Sequence, residues 1–291
     1  MAVSRSPTDR MRAWGWRSAI LLLAVVLAGG GARAEPRHRI VSLNLCTDQL
    51  LLQLVPARDI VGLSPLARDC AYSVMCHEAE AVPVIRPTAE AVVAARPDLV
   101  VGGRYASVTA LLAARQAGMP VELFDPVERL VDVPEQIVAV ANAAGVPMRG
   151  RALAEAFRAR LAAHPMPVGG AAPSAVIYAA NGFVTRAGSL ADDILVRAGF
   201  RNAANGLDGR HALGVPLESL LVRPPELLVV ARSDVGTSMA QAVLDHPALR
   251  DAFPAPHRLS LPDRMWLCGL PQTLDTLDRL IEARTALESS R

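Results

Sequence analysis

The chain has 291 residues, of which 30 are basic, 28 are acidic and 52% are hydrophobic. Every basic side chain other than histidine is arginine, and beyond residue 34 the balance is 25 basic to 27 acidic residues. This nearly neutral charge gives no indication of nucleic-acid binding. The length allows two domains of about 100–150 residues each.

Residues 1–34 have the pattern of a cleaved export signal. Several arginines precede an apolar segment at residues 19–28, and Ala32-Arg33-Ala34 has the small-x-small pattern of a cleavage site. The apolar segment is shorter than the roughly 20 residues that span a bilayer. We therefore predict a protein that is exported to the periplasm by a cleaved N-terminal signal peptide, starts near Glu35 and has no transmembrane segment.

Short apolar segments alternate with helical segments in the first half of the remaining chain. The sequence predicts strands at 39–43, 59–62, 97–101 and 120–124, and helices at 49–54, 88–96 and 107–117. Such alternation is typical of a parallel sheet built from βαβ units. The long segment 63–83 contains Cys70 and Cys76, and long ordered loops in compact domains are often binding loops.

Two helical segments follow, at 134–144 and 147–164. In the second one, Leu153, Phe157 and Leu161 recur at helical spacing between arginines, which predicts one buried and one solvated face. A helix of this length measures roughly 26 Å at about 1.5 Å per residue. The Pro/Gly-rich residues 165–170 end the pattern. An ordinary surface helix within one domain is the alternative interpretation.

The second half of the chain repeats the first. We predict strands at 174–178 and 225–230, helices at 190–198 and from 216, and a loop at 202–214. Glu90 and Glu218 lie 128 residues apart, and each is followed at +7 by Pro, at +8 by an acid, at +9 by Leu and at +11 by Val. Because the two halves are similar, we interpret the helix between them, at 147–164, as a linker.

The predicted fold is therefore α/β, with two Rossmann-like lobes of parallel strands joined by one long α-helix. The predicted parts are a signal peptide (1–34), an N-terminal lobe (35–146), a linker helix (147–164) and a C-terminal lobe (165–291). Ligands of open parallel sheets bind at the carboxyl ends of the strands, so we expect a ligand cleft between the lobes.

This pattern resembles the periplasmic binding proteins of ABC importers for vitamin B12, iron–siderophore complexes and haem. The most specific segment is 89–100, with a weaker copy at 217–228. The resemblance implies a rigid linker helix, a ligand held between the lobes and delivery to an inner-membrane ABC permease. It also implies that Glu90 and Glu218, one on each lobe, dock onto arginines of the permease. The alternative is that both carboxylates only stabilise helix dipoles, worth ~0.3–1 kcal/mol each.

Cobalamin or a related corrinoid is the first expected cargo, and an iron–siderophore complex or haem is the second. We expect no resident cofactor, since the cobalt or iron belongs to the cargo, and a monomeric protein. Trp266 is the one tryptophan beyond residue 34, and we expect it to stack on a flat ligand, with a structural core position as the alternative. The loops after the strands supply the candidate ligand-binding residues: Asn44, Cys46, Tyr72, Arg104, Tyr105, Asn181, Phe183, Trp266 and Cys268.

The four cysteines allow three pairings. Cys70 and Cys76 are close enough in sequence for a local disulfide. Cys46 and Cys268 lie in loops of opposite lobes. Three alternatives are open for them: a disulfide with each other, thiolate ligands of a metal, or two unpaired thiols. Cys46 is also the best candidate for a catalytic nucleophile, but the sequence has no G-x-S-x-G, H-E-x-x-H or P-loop motif. We therefore predict a binding protein, with an exported enzyme or a scaffold as the alternatives.

Overall fold

The computed structural model describes residues 38–166, 171–207, 214–232 and 239–290. The predicted signal peptide and residues 208–213 of the predicted loop at 202–214 lie outside these residues. No helix among the described residues is both long enough and apolar enough to cross a membrane.

The N-terminal sheet contains four parallel strands in the order β2-β1-β3-β4. The strands are β1 (Ile40–Ser42), β2 (Ile60–Gly62), β3 (Leu99–Gly103) and β4 (Val121–Phe124). The helices of this lobe are α1 (Leu45–Leu54), α2 (Ala89–Ala95) and α3 (Val108–Gln116). The central strand β3 is buried throughout, as expected for a parallel strand that is covered on both faces.

The C-terminal sheet has the same topology, with four parallel strands in the order β6-β5-β7-β8. The strands are β5 (Ser174–Ala179), β6 (Arg201–Asn202), β7 (Leu227–Arg232) and β8 (Arg258–Pro262), and the helices are α6 (Leu190–Arg197), α7 (Leu217–Val222) and α8 (Pro247–Ala252). The two α/β lobes inferred from the repeat are confirmed. β6 was missed because Asn202 was assigned to the loop and Arg201 to no element.

Three longer helices lie outside this repeat: α4 (Val133–Ala143), α5 (Pro147–Ala162) and α9 (Thr273–Ser289). α5 is the predicted linker helix, and Gly150 lets it pack closely on α4, because a Cβ at Gly150 would lie 2.2 Å from the Cβ of Ala141. The guanidinium of Arg160, near the end of α5, pairs with Asp275 and Asp278 of α9. The linker therefore packs against α4 and is joined to α9 by ion pairs.

The largest hydrophobic cluster extends through both lobes. It joins Ile40 and Leu51 of the N-terminal lobe to Ile177 and Val229 of the C-terminal lobe, with buried side chains of α5 among them. Apolar burial of this kind contributes about 25 cal/mol per Å2. The lobes are therefore connected by a continuous core as well as by the chain.

One helix boundary differs from the prediction. α1 begins at Leu45, four residues before the predicted start at Gln49. The reason is Asn44, whose side-chain oxygen accepts hydrogen bonds from the N–H groups of Cys46 (2.9 Å) and Thr47 (3.4 Å). An asparagine N-cap of this kind satisfies donors that the first turn leaves free, so the helix starts directly after the strand.

Candidate functional site

A concave site lies where the carboxyl ends of β1, β3 and β4 meet a segment that arrives from the C-terminal lobe. We call this site the cleft pocket. Its lining residues are Asn44, Cys46, Thr47, Gly103, Arg104, Tyr105, Phe124, Asp125, Pro126, Val127, Gln136, Leu267, Cys268 and Gly269. Strand ends of a parallel sheet are where a ligand site is expected.

Five of the nine predicted ligand-binding residues line this pocket: Asn44, Cys46, Arg104, Tyr105 and Cys268. The side chain of Asn44 caps α1. Its amide also lies against β3, and this is possible because Gly103 has no side chain: a Cβ at Gly103 would lie 2.8 Å from Asn44 Nδ2. Asn44 therefore shapes the pocket floor.

Arg104 forms a bidentate pair with Asp125. Its Nε donates to Asp125 Oδ1 (2.8 Å) and its NH2 group to Oδ2 (2.7 Å), while Gln136 Nε2 donates to the backbone carbonyl of Asp125 (3.2 Å). The hydrogen bonds from Arg104 lower the pKa of Asp125, and those to Asp125 raise the pKa of Arg104. Since both side chains are exposed, the pair adds little stability and instead orients the guanidinium at the pocket rim.

Two exposed apolar side chains complete the pocket wall. The side chain of Tyr105 is 82% exposed, directly after Arg104, and Leu267 is 46% exposed on the opposite segment. Large apolar groups left in water favour contact with a ligand or partner. The pocket thus combines apolar surface with one oriented ion pair, Arg104–Asp125.

The cysteines form two disulfides, Cys46–Cys268 and Cys70–Cys76. The thiolate-ligand and nucleophile interpretations of Cys46 are therefore wrong, because a disulfide sulfur is not a thiolate. The same holds for Cys268 as a metal ligand. Potential ligand atoms of Cys70, Cys76 and His77 lie within 4.8 Å of one another, but the disulfide removes both thiolates from that group as well.

Four predicted ligand-binding residues do not line the cleft pocket, and three of them follow other strands. Tyr72 is 44% exposed in the loop after β2, and Phe183 is 53% exposed after β5. Asn181 is held in the left-handed region (φ 56°) within the turn Ala180–Gly182. The structure does not bring these three into the pocket, and their contact with a ligand stays a prediction.

The expectation that Trp266 stacks on a ligand, rather than filling the core, is wrong. The side chain is only 8% exposed and belongs to the large hydrophobic cluster. The physical reason is the short turn Asp263–Met265, which ends at Trp266 and leads the chain back over the core. The neighbouring Leu267 is exposed in its place.

Glu90 and Glu218 occupy matching positions in the two lobes. Each lies in the first turn of its helix, α2 or α7, and each side chain is exposed. Both helices lead into the central strand of their sheet, so their N-termini lie at the edge formed by the carboxyl ends of the parallel strands. The two carboxylates are thus available at the edges of the sheets where ligands are expected.

Asp48 is a buried carboxyl group close to the pocket. It lies in the first turn of α1, and Ser64 donates to it through both its hydroxyl and its backbone N–H (3.3 Å). Burial raises the pKa of Asp48 to about 7, and the hydrogen bonds from Ser42 and Ser64 oppose that rise. The carboxyl group therefore connects α1 with the start of the loop that follows β2 (residues 63–83), which we call the β2 loop.

Several pocket residues were not among the predicted site residues. Asp125 and Leu267 follow strands β4 and β8, so the strand-end rule indicated their loops but not their roles. Gln136 lies on α4, and no sequence pattern connected it with the strand ends. No sequence pattern indicated Gly269 either, since its role depends on packing between distant segments.

A pocket at the strand ends of one α/β lobe, completed by a segment from a second α/β lobe, is the arrangement of a two-lobed binding protein. The chain belongs to the periplasmic binding protein family, whose sequence model matches residues 40–255. Members of this family are solute-binding proteins of ABC importers. A comparison with curated protein sequences gives no match.

Solved structures with the same fold include three with different described ligands. The periplasmic haem-binding protein RhuT from Roseiflexus sp. RS-1, in apo form, has a TM-score of 0.67 and 23% identity over 84% of this chain and 98% of that one. The vitamin B12 binding protein BtuF of Vibrio cholerae has a TM-score of 0.63 and 16% identity over 87% and 98%. An ABC-type Fe3+-hydroxamate transport system structure from Saccharomonospora viridis DSM 43017 has a TM-score of 0.61 and 23% identity over 86% and 94%.

Proposed function

We propose that this protein is a monomeric periplasmic receptor that carries a metal chelate to an inner-membrane ABC permease. Cobalamin or a related corrinoid is the cargo expected from the sequence. The observation that supports a chelate of this kind is the cleft pocket, in which Tyr105 and Leu267 offer flat apolar surface beside the guanidinium of Arg104. Binding sites with a few oriented polar groups among apolar walls are typical of small-molecule receptors.

Haem is the second candidate cargo, and Arg104 favours it. A guanidinium fixed by Asp125 is suited to a carboxylate, and haem carries two propionates at one edge of a flat ring. Similar structures described as haem-binding support the same candidate. An iron–siderophore complex is the third candidate, supported by the hydroxamate-transport structure.

Calorimetric titration of protein starting at residue 35 with cyanocobalamin, hemin and a ferric hydroxamate tests the proposal. We expect one of the three to bind at a ratio of one per protein. Tyr105→Ala should weaken that binding about tenfold through lost stacking, whereas the same substitution at Tyr178, a buried residue, reports only on folding. Absence of saturable binding by all three chelates would refute the proposed cargo class.

Delivery to a permease rests on the two exposed glutamates. Carboxylates placed one on each lobe can direct a receptor to a basic surface, because complementary charges accelerate association and fix its orientation. In this proposal the cleft pocket determines cargo affinity, while Glu90 and Glu218 determine transfer to the permease. Binding and transfer can therefore be tested separately.

A further inference from the structure

We propose that residues 263–272, which we call the strap, form a fixed wall of the cleft pocket, and that Cys46, Cys268, Gln49 and Gly269 are the residues that position this wall. The strap leaves the C-terminal sheet at the end of β8 and reaches the N-terminal lobe before α9 begins. Its effect on cargo rests on the proposed function, whereas its attachment does not.

The disulfide makes the attachment covalent. Cys46 lies in the first turn of α1 in the N-terminal lobe, and Cys268 lies in the strap, 222 residues later, with a Cα–Cα distance of 5.2 Å. Both residues also line the cleft pocket. The bond that joins the lobes is therefore part of the surface that a ligand meets.

Gln49 secures the same point through hydrogen bonds. Its side chain is fully buried, and its Nε2 donates to Cys268 Sγ (3.6 Å). Its Oε1 accepts from the backbone N–H of Val74 (2.8 Å) and from Ser73 Oγ (3.4 Å). One side chain of α1 thus connects the strap with the β2 loop, and a buried amide with satisfied partners keeps a single arrangement.

Gly269 allows the strap to lie close to the N-terminal lobe. A Cβ at this position would lie 3.0 Å from Val133 Cγ2 and 3.1 Å from Val127 Cβ, so a larger residue displaces either the strap or these neighbours. Val127 is itself a pocket residue. The spacing between the strap and the pocket therefore depends on the missing side chain.

The two ends of the strap are held as well. Near its start, the guanidinium of Arg264 donates to the backbone carbonyl of Cys70 (3.1 Å) in the β2 loop. Near its end, Thr273 Oγ1 donates to the carbonyl of Cys268 (2.8 Å) and accepts from the N–H of Leu270 (3.0 Å). These contacts fix the strap along its length, including the segment that carries Leu267 into the pocket.

The consequence is a binding site with a preformed wall. A ligand that meets an ordered surface loses less free energy to ordering than one that must close a mobile loop, so affinity is higher. Cargo then enters and leaves through the open side of the pocket, while the lobes stay joined at the strap. Releasing the strap should weaken binding even though most pocket residues are untouched.

Hydrogen exchange of the apo protein tests the attachment without any ligand. In Cys46→Ser/Cys268→Ser, we expect the amides of Trp266 and Leu270 to exchange at least about tenfold faster than in the unsubstituted protein. The matched control Cys70→Ser/Cys76→Ser removes a disulfide within one loop but keeps the backbone carbonyl of Cys70 that Arg264 contacts. In this control we expect the two amides to change less than about threefold. Equal exchange at the strap in both variants would overturn the proposal.

Calorimetric titration with cyanocobalamin, hemin and a ferric hydroxamate then tests the effect on cargo. We expect the dissociation constant of the bound chelate to rise at least about fivefold in Cys46→Ser/Cys268→Ser. Gly269→Ala keeps the disulfide and should raise the dissociation constant in the same direction, which covers the case in which the double variant folds poorly. Unchanged affinity in Gly269→Ala and in a folded double variant would refute the strap's role in binding. If the unsubstituted protein binds none of the chelates, the proposed function fails, and hydrogen exchange still decides the attachment.

Discussion

Asp98 and Glu226 perform the same structural task in the two lobes. Asp98 Oδ2 accepts a hydrogen bond from the backbone N–H of Arg39 (3.0 Å), which precedes β1, and Glu226 Oε2 accepts one from the N–H of Ser174 (2.7 Å), which begins β5. Each acid immediately precedes the central strand of its sheet, at the same distance from Glu90 or Glu218. The repeat therefore extends from sequence register to hydrogen bonding.

We expect Asp98→Ala and Glu226→Ala each to lower the free energy of unfolding by about 1 kcal/mol, because each leaves the N–H that begins a first strand without its acceptor. Urea denaturation measures this. Asp98→Asn and Glu226→Gln keep an acceptor oxygen and should recover about half of the loss. A loss in only one lobe would contradict the equivalence of the two acids.

The second prediction concerns pH and Asp48. Because its pKa is raised to about 7 in the folded protein, protonation favours the folded state. The stabilising contribution is full below the ordinary pKa of 3.8 and is lost as the pH rises through about 7. Asp48→Asn mimics the protonated form, so we expect this variant to exceed the unsubstituted protein in unfolding free energy at about pH 8, with little difference at about pH 4. A difference that is equal at both pH values would contradict the raised pKa.

The third prediction compares the two disulfides. In the chain-entropy description, a cross-link that closes 222 residues stabilises by about 5 kcal/mol, and one that closes six by about 2 kcal/mol. We therefore expect Cys46→Ser/Cys268→Ser to unfold about 6–12 °C below Cys70→Ser/Cys76→Ser. Calorimetric melting of the two variants measures the difference. Coincident melting temperatures would show that the loop length does not govern their stabilities.

The fourth prediction separates docking from binding. Glu90→Ala/Glu218→Ala should leave the dissociation constant of the cargo unchanged and reduce uptake through the permease at least about tenfold, since two charge contacts are lost. Glu155→Ala/Glu282→Ala removes the same charge from other exposed positions and should keep uptake normal. Normal uptake by the first variant would leave the two glutamates with a helix-dipole role alone.

The fifth prediction concerns cargo charge. Arg104→Gln should weaken hemin binding about tenfold, because a propionate loses its charged partner, while cyanocobalamin binding should change less than about threefold. Calorimetry with both ligands on the same protein gives the ratio. An equal loss for both would indicate that Arg104 acts through the shape of the pocket and not through charge.

Much of the fold could be predicted from sequence because the parallel strands are short buried apolar segments with strong flanking signals. The register at Glu90 and Glu218 located both central strands within two residues of their observed starts. β6 was missed because two residues, Arg201 and Asn202, are too few to show an alternating pattern. The starting residue of α1 depends on the hydrogen bonds that the side chain of Asn44 accepts, and sequence does not reveal them.

The candidate site was predictable only to the level of loops. The strand-end rule indicated the neighbourhood of Arg104 and Tyr105, because it follows from topology alone. It failed for Trp266, since a loop residue can turn inward over a core that the loop itself crosses. The Cys46–Cys268 disulfide was among the alternatives that the sequence offered, and the structure confirms it. The position of Gln136 depends on how distant segments approach one another, which local patterns do not encode.

Because of the Cys46–Cys268 disulfide, the linker helix is not the only covalent connection between the two lobes. α5 carries the chain from one sheet to the other, and the disulfide is a second covalent crossing, so the two lobes belong to a closed ring. A protease that cuts α5 once opens the ring without separating its halves. Such nicked protein would run as one band on a gel without reductant and as two bands with it, and the receptor would keep both walls of its cleft in one molecule after the cut.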